Sequence, residues 1–266
     1  MSSKKYLKAI YIYPIKSLPG VRVDAAWVMQ KGLNYDRRWM LVDEHNQFIS
    51  LRKERKLVKF HLTINPRGFN ISSHFLKSSI ELPHSLDDGK EIKAKIWDDE
   101  VMVIEDGHGW SKWFSEALER PCKLVYFPEK NQRPVNEKYQ IQNESVSLAD
   151  GYPYLIAGQE SLGALNQQLP EPIGIERFRP NLVFNGGKPF EEFEWKNFTI
   201  GNVRFQGLKP CERCVVTTID PKTGEKGKEP LRSLAKRKVN DKIVFGQHAL
   251  ALEDGEIKMG DEIAFD

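Results

Sequence analysis

Cys211 and Cys214 are separated by Glu212 and Arg213, with Lys209 just upstream. Thiolates ligate soft metals, exchange disulfides and attack electrophiles, and each use depends on how readily the thiol proton leaves. Arg213 and Lys209 favour the thiolate electrostatically. Several readings of the pair stand side by side. A structural zinc site needs four ligands, yet one further cysteine, Cys122, exists and none of the six histidines forms a matching pair with the motif. A thioredoxin-like redox pair opens a helix, whereas the Val215-Val216-Thr217-Thr218 that follows has the composition of a strand. Two buried structural cysteines would pack well as small apolar groups. The functional reading is a thiolate that binds a soft metal centre or acts as a nucleophile.

Cationic and polar groups elsewhere could converge on an anion. Lys16-Ser17 follow Tyr13-Pro14-Ile15, Arg37 and Arg38 lie between Asp36 and Trp39, and Arg177 and Arg179 flank Phe178 ahead of Pro180-Asn181. Each alone reads as a solvated surface group. As a set, their guanidinium forks suit phosphate. Neither a Walker loop nor a Gly-x-Gly-x-x-Gly is present, so an ordinary nucleotide is not indicated. His248 reads by default as a core or surface histidine, and Asp220, in Asp220-Pro221-Lys222-Thr223-Gly224, as a turn aspartate. The run 222–242 holds eight Lys or Arg against three Asp or Glu, a solvated face that could also dock an acidic partner.

The elements that must position these groups are mostly short strands. Composition and alternation predict strands at 6–13, 21–29, 57–64 and 123–127, and a hairpin pairing 39–42 with 47–51. Shorter strands are expected at 96–97 and 101–104, while 65–93 supports no assignment. Trp110, Trp113, Phe114, Ala117 and Leu118 recur at helical spacing. The polar stretch 128–142 reads as a linker. Beyond it come a helix at 160–169, a strand at 182–184, a hairpin about Gly201-Asn202, a strand at 215–219, a short basic helix at 229–238 and strands at 244–252, 256–259 and 262–265. The chain therefore reads as α+β and predominantly β, with a β-rich first unit at 1–128 and a barrel or sandwich at 143–266.

Bulk properties narrow the function classes. The chain has 266 residues, 40% hydrophobic and 29% charged, with a formal charge of +3. That balance argues against a nucleic-acid partner. No apolar run approaches the roughly 20 residues of a membrane helix. Three cysteines and a polar start without a secretory signal lead us to expect a cytoplasmic protein with reduced thiols.

Taken in order, Tyr13-Pro14-Ile15-Lys16-Ser17, Asp36-Arg37-Arg38-Trp39, Phe178-Arg179-Pro180-Asn181, Cys211-Glu212-Arg213-Cys214 with Thr217-Thr218-x-Asp220-Pro221-x-Thr223-Gly224, and Phe245-Gly246-Gln247 resemble a known family. These are the molybdenum-cofactor sulfurase C-terminal (MOSC) domain proteins with a β-rich N-terminal extension, among them the mitochondrial amidoxime-reducing component and its bacterial relatives. The resemblance implies a MOSC-type β-barrel and a molybdenum cofactor whose pterin carries a terminal phosphate. It places Cys214 on the metal and Lys16, Ser17, Arg37, Arg179, Asn181 and Arg213 around the pterin and phosphate. His248 stands where the amidoxime-reducing relatives have tyrosine, and Glu212 replaces a small polar residue. Asp220 becomes a candidate proton donor or site organiser. The implied reaction is two-electron reduction of N-hydroxylated compounds, the alternative being a non-catalytic cofactor carrier or sulfur-transfer module. Some bacterial relatives carry an iron–sulfur domain; with no cysteines left to ligate a cluster, this chain is expected to take electrons from a separate donor protein.

Overall fold

Seven strands close on themselves in this computed structural model, which describes residues 4–265. They are β1 (Lys5–Ile12), β2 (Tyr154–Gly158), β3 (Leu182–Asn185), β4 (Asn197–Ile200), β5 (Val203–Glu212), β6 (Val244–Ala251) and β7 (Glu262–Phe265). Their order around the barrel is β3-β2-β6-β5-β4-β7-β1, and β1 returns to β3. The expected β-barrel is therefore present. Strand β1 pairs antiparallel with β3 (Ile10 opposite Leu182) and with β7 (Tyr6 opposite Glu262). The first strand of the chain thus removes both edges that the later strands would leave open.

Apart from Val21–Val23, which pairs with β1, the remaining strands of the first half build smaller sheets. Trp39–Val42, Lys123–Tyr126, Asp99–Glu105 and Lys90–Ile96 form one, in that order. Phe60–Asn65, Gly68–Ser73 and Ile80–Pro83 form a second within the stretch where the sequence supported no assignment. A third pairs Gly255–Lys258 with Ala25–Met29 and ties the ends of the chain together. One apolar cluster runs through both halves, from Leu7 and Ile10 of the barrel to Trp113 and Phe114 of helix α1 (Trp110–Leu118). Helix α2 (Gln159–Asn166) follows β2 and buries Leu162 and Leu165. No helix among the described residues is long and apolar enough to cross a membrane. The first residues of the chain, which bear on the expected compartment, lie outside those described.

Several local expectations are corrected. Residues 215–219 were expected to be a strand, but Val215–Thr218 is a 3-10 helix. The Thr217 and Thr218 hydroxyls donate to the carbonyls of Cys214 and Val215, at 2.9 and 2.8 Å, and these local bonds override strand propensity. The strand expected at 57–64 begins as a 3-10 helix, Arg55–Lys59, whose first turn is capped by Glu54. The strand at 21–29 divides at Asp24, and its two parts join different sheets. Only the first arm of the 39–51 hairpin is a strand; Phe48 makes a single bridge to Val42.

Within the stretch expected to be a linker, Arg133 is packed into the structure. Arg133 is 4% exposed. Its guanidinium donates to Asp99 at 2.8 Å, to the Ser147 carbonyl at 2.9 Å and to the Ala149 and Asp150 carbonyls. A planar fork with five N–H groups satisfies this set, which an ammonium cannot. Arg133→Met should lower unfolding free energy by about 3 kcal/mol, because buried carbonyls lose their donors. Arg133→Lys should recover less than half of that loss. Denaturant midpoints compare the two, and a shift below about 0.5 kcal/mol for Arg133→Met, the usual size of a surface substitution, would refute the role.

Candidate functional site

The long strand β5 delivers both cysteines. Its pairing with β6 slips between Gly207 and Lys209 and again between Pro210 and Glu212. Pro210 has no N–H to give the ladder, so an irregularity is tolerated there. Such slips re-aim side chains. Cys211 is the last buried residue of the strand. Cys214 lies past its end, half-buried, and caps the 3-10 helix. The pair therefore sits where a strand leaves into a turn, not where a loop enters a strand.

Both cysteines line a cavity of about 390 Å³. That volume falls at the lower end of small-molecule sites. Lys16, Ser17, Arg37, Arg179, Asn181, Arg213 and His248 line it too, so residues far apart in sequence converge as expected. With Arg52, the walls carry five Lys or Arg side chains against two carboxylates, Asp150 and Glu212.

Tyr13 organises two of the cations. Its buried ring lies under the guanidinium of Arg37 at 4.2 Å and that of Arg179 at 4.3 Å. Asp36, fully buried, accepts from Arg37 at 2.5 Å and from the Tyr13 amide at 2.8 Å. Asn181 is buried and braced: its side-chain oxygen receives Arg37 at 3.3 Å and the Leu155 amide at 3.4 Å, while its nitrogen donates to the Tyr11 carbonyl. Burial pulls Arg179 down to about 10, the largest influence on it, with Tyr13 acting the other way, so it stays charged at neutral pH. Ser17, Arg37 and Arg179 hold left-handed backbones, with φ of 74°, 51° and 54°. That conformation costs a non-glycine residue about 1 kcal/mol, and such strain gathers at functional sites.

Lys16 is buried beside Asp150, 2.5 Å away, and its ammonium lies 4.7 Å from the Phe48 ring centre. Burial brings its pKa down to about 8 against the pull of Asp150. The Asp150 carboxyl is held well below its ordinary range: burial pushes it up, but Lys16 and the Trp97 indole N–H, at 3.1 Å, outweigh that.

Cys211 and Cys214 differ in surroundings. Arg213 donates to the Cys211 sulfur at 2.8 Å and to the Phe178 carbonyl at 2.7 Å. Burial raises the Cys211 thiol, yet Arg213 and His248 more than offset it and bring the pKa to about 7. The His248 ring packs on Tyr152, with centroids 4.6 Å apart. Glu212, the added negative charge, lines the cavity and ion-pairs with Lys242. Asp220 does not line the cavity: it accepts from Arg177 at 3.0 Å and from the Lys222 and Thr223 amides at 2.8 Å, organising the turn beyond the 3-10 helix.

Sequence reasoning missed Phe48, Arg52, Trp97, Asp150 and Tyr152, all of which line the cavity. Arg52 lies over the Trp97 ring at 4.3 Å. Their signals were weak, since Asp150-Gly151 reads simply as a turn. Among the described residues there is no group of three or more His, Cys, Asp or Glu that could hold a metal ion.

Comparison with known proteins now bears on this geometry. The MOSC N-terminal beta barrel domain model matches residues 4–121 and the MOSC domain model residues 143–264. Human mitochondrial amidoxime-reducing component 1 is 30% identical over 275 residues, spanning 96% of this chain and 81% of its own. The chain belongs to the MOSC family. Bovine mitochondrial amidoxime reducing component 2 is 30% identical to this MOSC chain over 273 residues, with the same coverage of both. Human molybdenum cofactor sulfurase is 30% identical over 264 residues, 91% of this chain but 29% of that protein. The comparisons support a function related to the molybdenum cofactor.

Arg213→Gln should raise the Cys211 pKa toward the unfolded value near 9. In a Cys122→Ser/Cys214→Ser background, thiolate ultraviolet absorbance should titrate near 7 and move upward in the Arg213 variant. The folded pKa lies below the unfolded one, so the thiolate stabilises the fold fully above about 9 and ever less as pH falls through about 7. Coincident titrations of the two proteins would rule out the assignment.

Proposed function

We propose that this chain binds a molybdenum cofactor and reduces N-hydroxylated compounds such as amidoximes, hydroxylamines and N-hydroxylated bases. The observation that carries the reading is an accessible thiol, Cys214, at a cavity where cations outnumber carboxylates five to two. That donor set fits the group. A dithiolene-bound metal is soft and accepts thiolate, and a pterin phosphate is anionic and accepts guanidinium and ammonium donors. The Arg213 Nε, buried without a partner, is a further donor in the same wall.

Cys214 would ligate the metal, with Lys16, Ser17, Arg37, Arg179, Asn181 and Arg213 holding the pterin and phosphate and His248 completing the wall. The cofactor would supply a two-electron couple at a soft metal. Converting N–OH to N–H consumes two electrons and two protons and releases water. Cys211, near 7, and Lys16, near 8, are groups of this chain that hold or release a proton around neutral pH. The stacked Arg37 and Arg179 keep the pocket positive through turnover. The proposed setting is the cytoplasm, where thiols stay reduced. A non-catalytic cofactor carrier or sulfur-transfer module is the second reading, supported by the similarity to molybdenum cofactor sulfurase.

Electrons would come from a separate protein docking on the exposed basic face that includes Arg232, Lys236 and Arg237. Reversing these three charges should slow electron transfer from an acidic carrier and flatten its salt dependence, as stopped-flow measurements would show. Cys214→Ala, purified from a cofactor-competent host, should lose molybdenum by elemental analysis. Its reductase activity should fall by more than the roughly 10- to 100-fold typical of changes around a metal's ligands. Full occupancy and full activity in that variant would reject the reading. Wild-type protein that holds molybdenum and pterin but turns over no N-hydroxylated compound would favour the carrier.

A further inference from the structure

The five cations that line the cavity differ in what they are tied to. Lys16 is paired with Asp150, Arg37 with Asp36, and Arg213 with the Cys211 sulfur and the Phe178 carbonyl. Arg179 is half-buried over the Tyr13 ring. Arg52 is exposed, and among the described residues its guanidinium has no hydrogen-bond or ion-pair partner. It rests on the Trp97 ring, 4.3 Å from the ring centre. Stacking of this kind fixes the plane of the guanidinium and leaves its N–H edges free.

Trp97 is itself held from several sides. It sits in the two-residue turn between the strands Lys90–Ile96 and Asp99–Glu105, where Ile96 pairs with Asp99. Such turns favour Asn and Gly. Trp97 instead carries a φ of 55° there, a strained backbone of the kind that gathers at functional sites. Its indole N–H donates to Asp150 at 3.1 Å, and its ring meets Phe48 edge-on at 5.4 Å. The carboxylates around this stack are already engaged: Asp150 by Lys16, Asp99 by Arg133 and Glu212 by Lys242. Lys53 and Asp98, next in the chain to Arg52 and Trp97, are exposed and opposite in sign. These pairings leave the charge of Arg52 uncancelled.

We infer that Arg52, carried on Trp97, receives the oxyanion of an incoming ligand at the mouth of the cavity, so that the compounds selected here are N-hydroxylated molecules bearing a carboxylate or a phosphate. The inference rests on the proposed reductase reading for what happens to the N-hydroxyl group, whereas the preference for an anion is a matter of binding and is measured apart from turnover. A planar fork gives a carboxylate or phosphate two parallel N–H bonds. A neutral compound of the same shape gains neither those bonds nor the longer-range pull of a wall rich in cations.

para-Carboxybenzamidoxime and its neutral carboxamide share the reacting group, the ring and nearly the same shape. Ligand-observed NMR titration of molybdenum-loaded protein, with no electron donor present, should show the carboxylate binding at least about tenfold tighter, the worth of one charge-assisted contact. Arg52→Gln should bring the two affinities together. Arg52→Lys, which keeps the charge but loses the fork, should recover only part of the difference. Trp97→Phe keeps a ring beneath Arg52 and should retain most of the preference, whereas Trp97→Leu should cut it several-fold. Both lose the indole N–H bond to Asp150, so the difference between them isolates the stack. Circular dichroism checks that each variant is folded. Equal affinities in the wild type, or a preference that survives Arg52→Gln, would overturn the inference. Arg52→Gln should keep wild-type contents of molybdenum and pterin; their loss would assign the guanidinium to the cofactor's phosphate and overturn the substrate role. Given a reduced viologen, the wild type should show the same discrimination in KM and not in kcat. Carboxylate-selective binding without any reduction would uphold the anion preference and overturn the reductase reading alone. Reduction of both compounds with equal KM would do the reverse.

Discussion

Closure of the barrel by the first strand is the constraint on which the rest of the molecule depends. Strand β1 pairs with β3 on one side and β7 on the other, elements more than 170 residues away. Without it the barrel has two open edges, which a sheet of this kind cannot leave bare to solvent. The same strand runs directly into Tyr13, whose ring carries Arg37 and Arg179 and whose amide is held by Asp36. Closing the barrel therefore also positions the cationic wall. A long-range closure of this kind is entropically expensive, which explains why β1 is rich in apolar residues that bury Leu7, Ile10 and Ile12.

Around that closure the protein concentrates positive charge at a half-enclosed pocket. Each cation is held differently: Arg37 by Asp36, Lys16 by Asp150, Arg179 by an aromatic ring, Arg213 by a thiol and a carbonyl. None of these partners offsets the whole set, so the wall retains a net pull on anions. Three of its residues also hold left-handed backbones, conformations that persist where surrounding contacts over-determine them. The arrangement is pre-organised: the cost of gathering like charges is met on folding and not on ligand binding.

The two cysteines illustrate how position divides chemically identical residues. Cys211 is enclosed at the end of β5 and answers to Arg213 and His248, whereas Cys214, three residues on, is half-buried at the cavity. The short helix that follows places Val216 in the lining of the cavity. Threonine hydroxyls bonded to backbone carbonyls hold that helix, so residues with strand composition form a 3-10 turn instead.

By itself the sequence determined a predominantly β chain, the helix at α1, most barrel strands and the hairpin about Gly201-Asn202, because these follow from alternation, periodicity and turn chemistry over a few residues. It also carried the motifs whose order marks the MOSC family, and with them Lys16, Arg37, Arg179, Arg213 and Cys214, which the fold then brought to one cavity. Arg133 could not be read this way: in a polar stretch it looks like a linker residue, and only the packed carbonyls of 147–150 give it a role. Trp97, Phe48 and Asp150 were equally silent, since an aromatic beside a turn and an Asp-Gly pair are ordinary surface features until the chain folds over them. Asp220, conspicuous in sequence, was turned away from the cavity by Arg177 and its own turn. Local chemistry is written in residue order, whereas which groups share a wall depends on long-range strand pairing, and that was settled only when β1 closed the barrel.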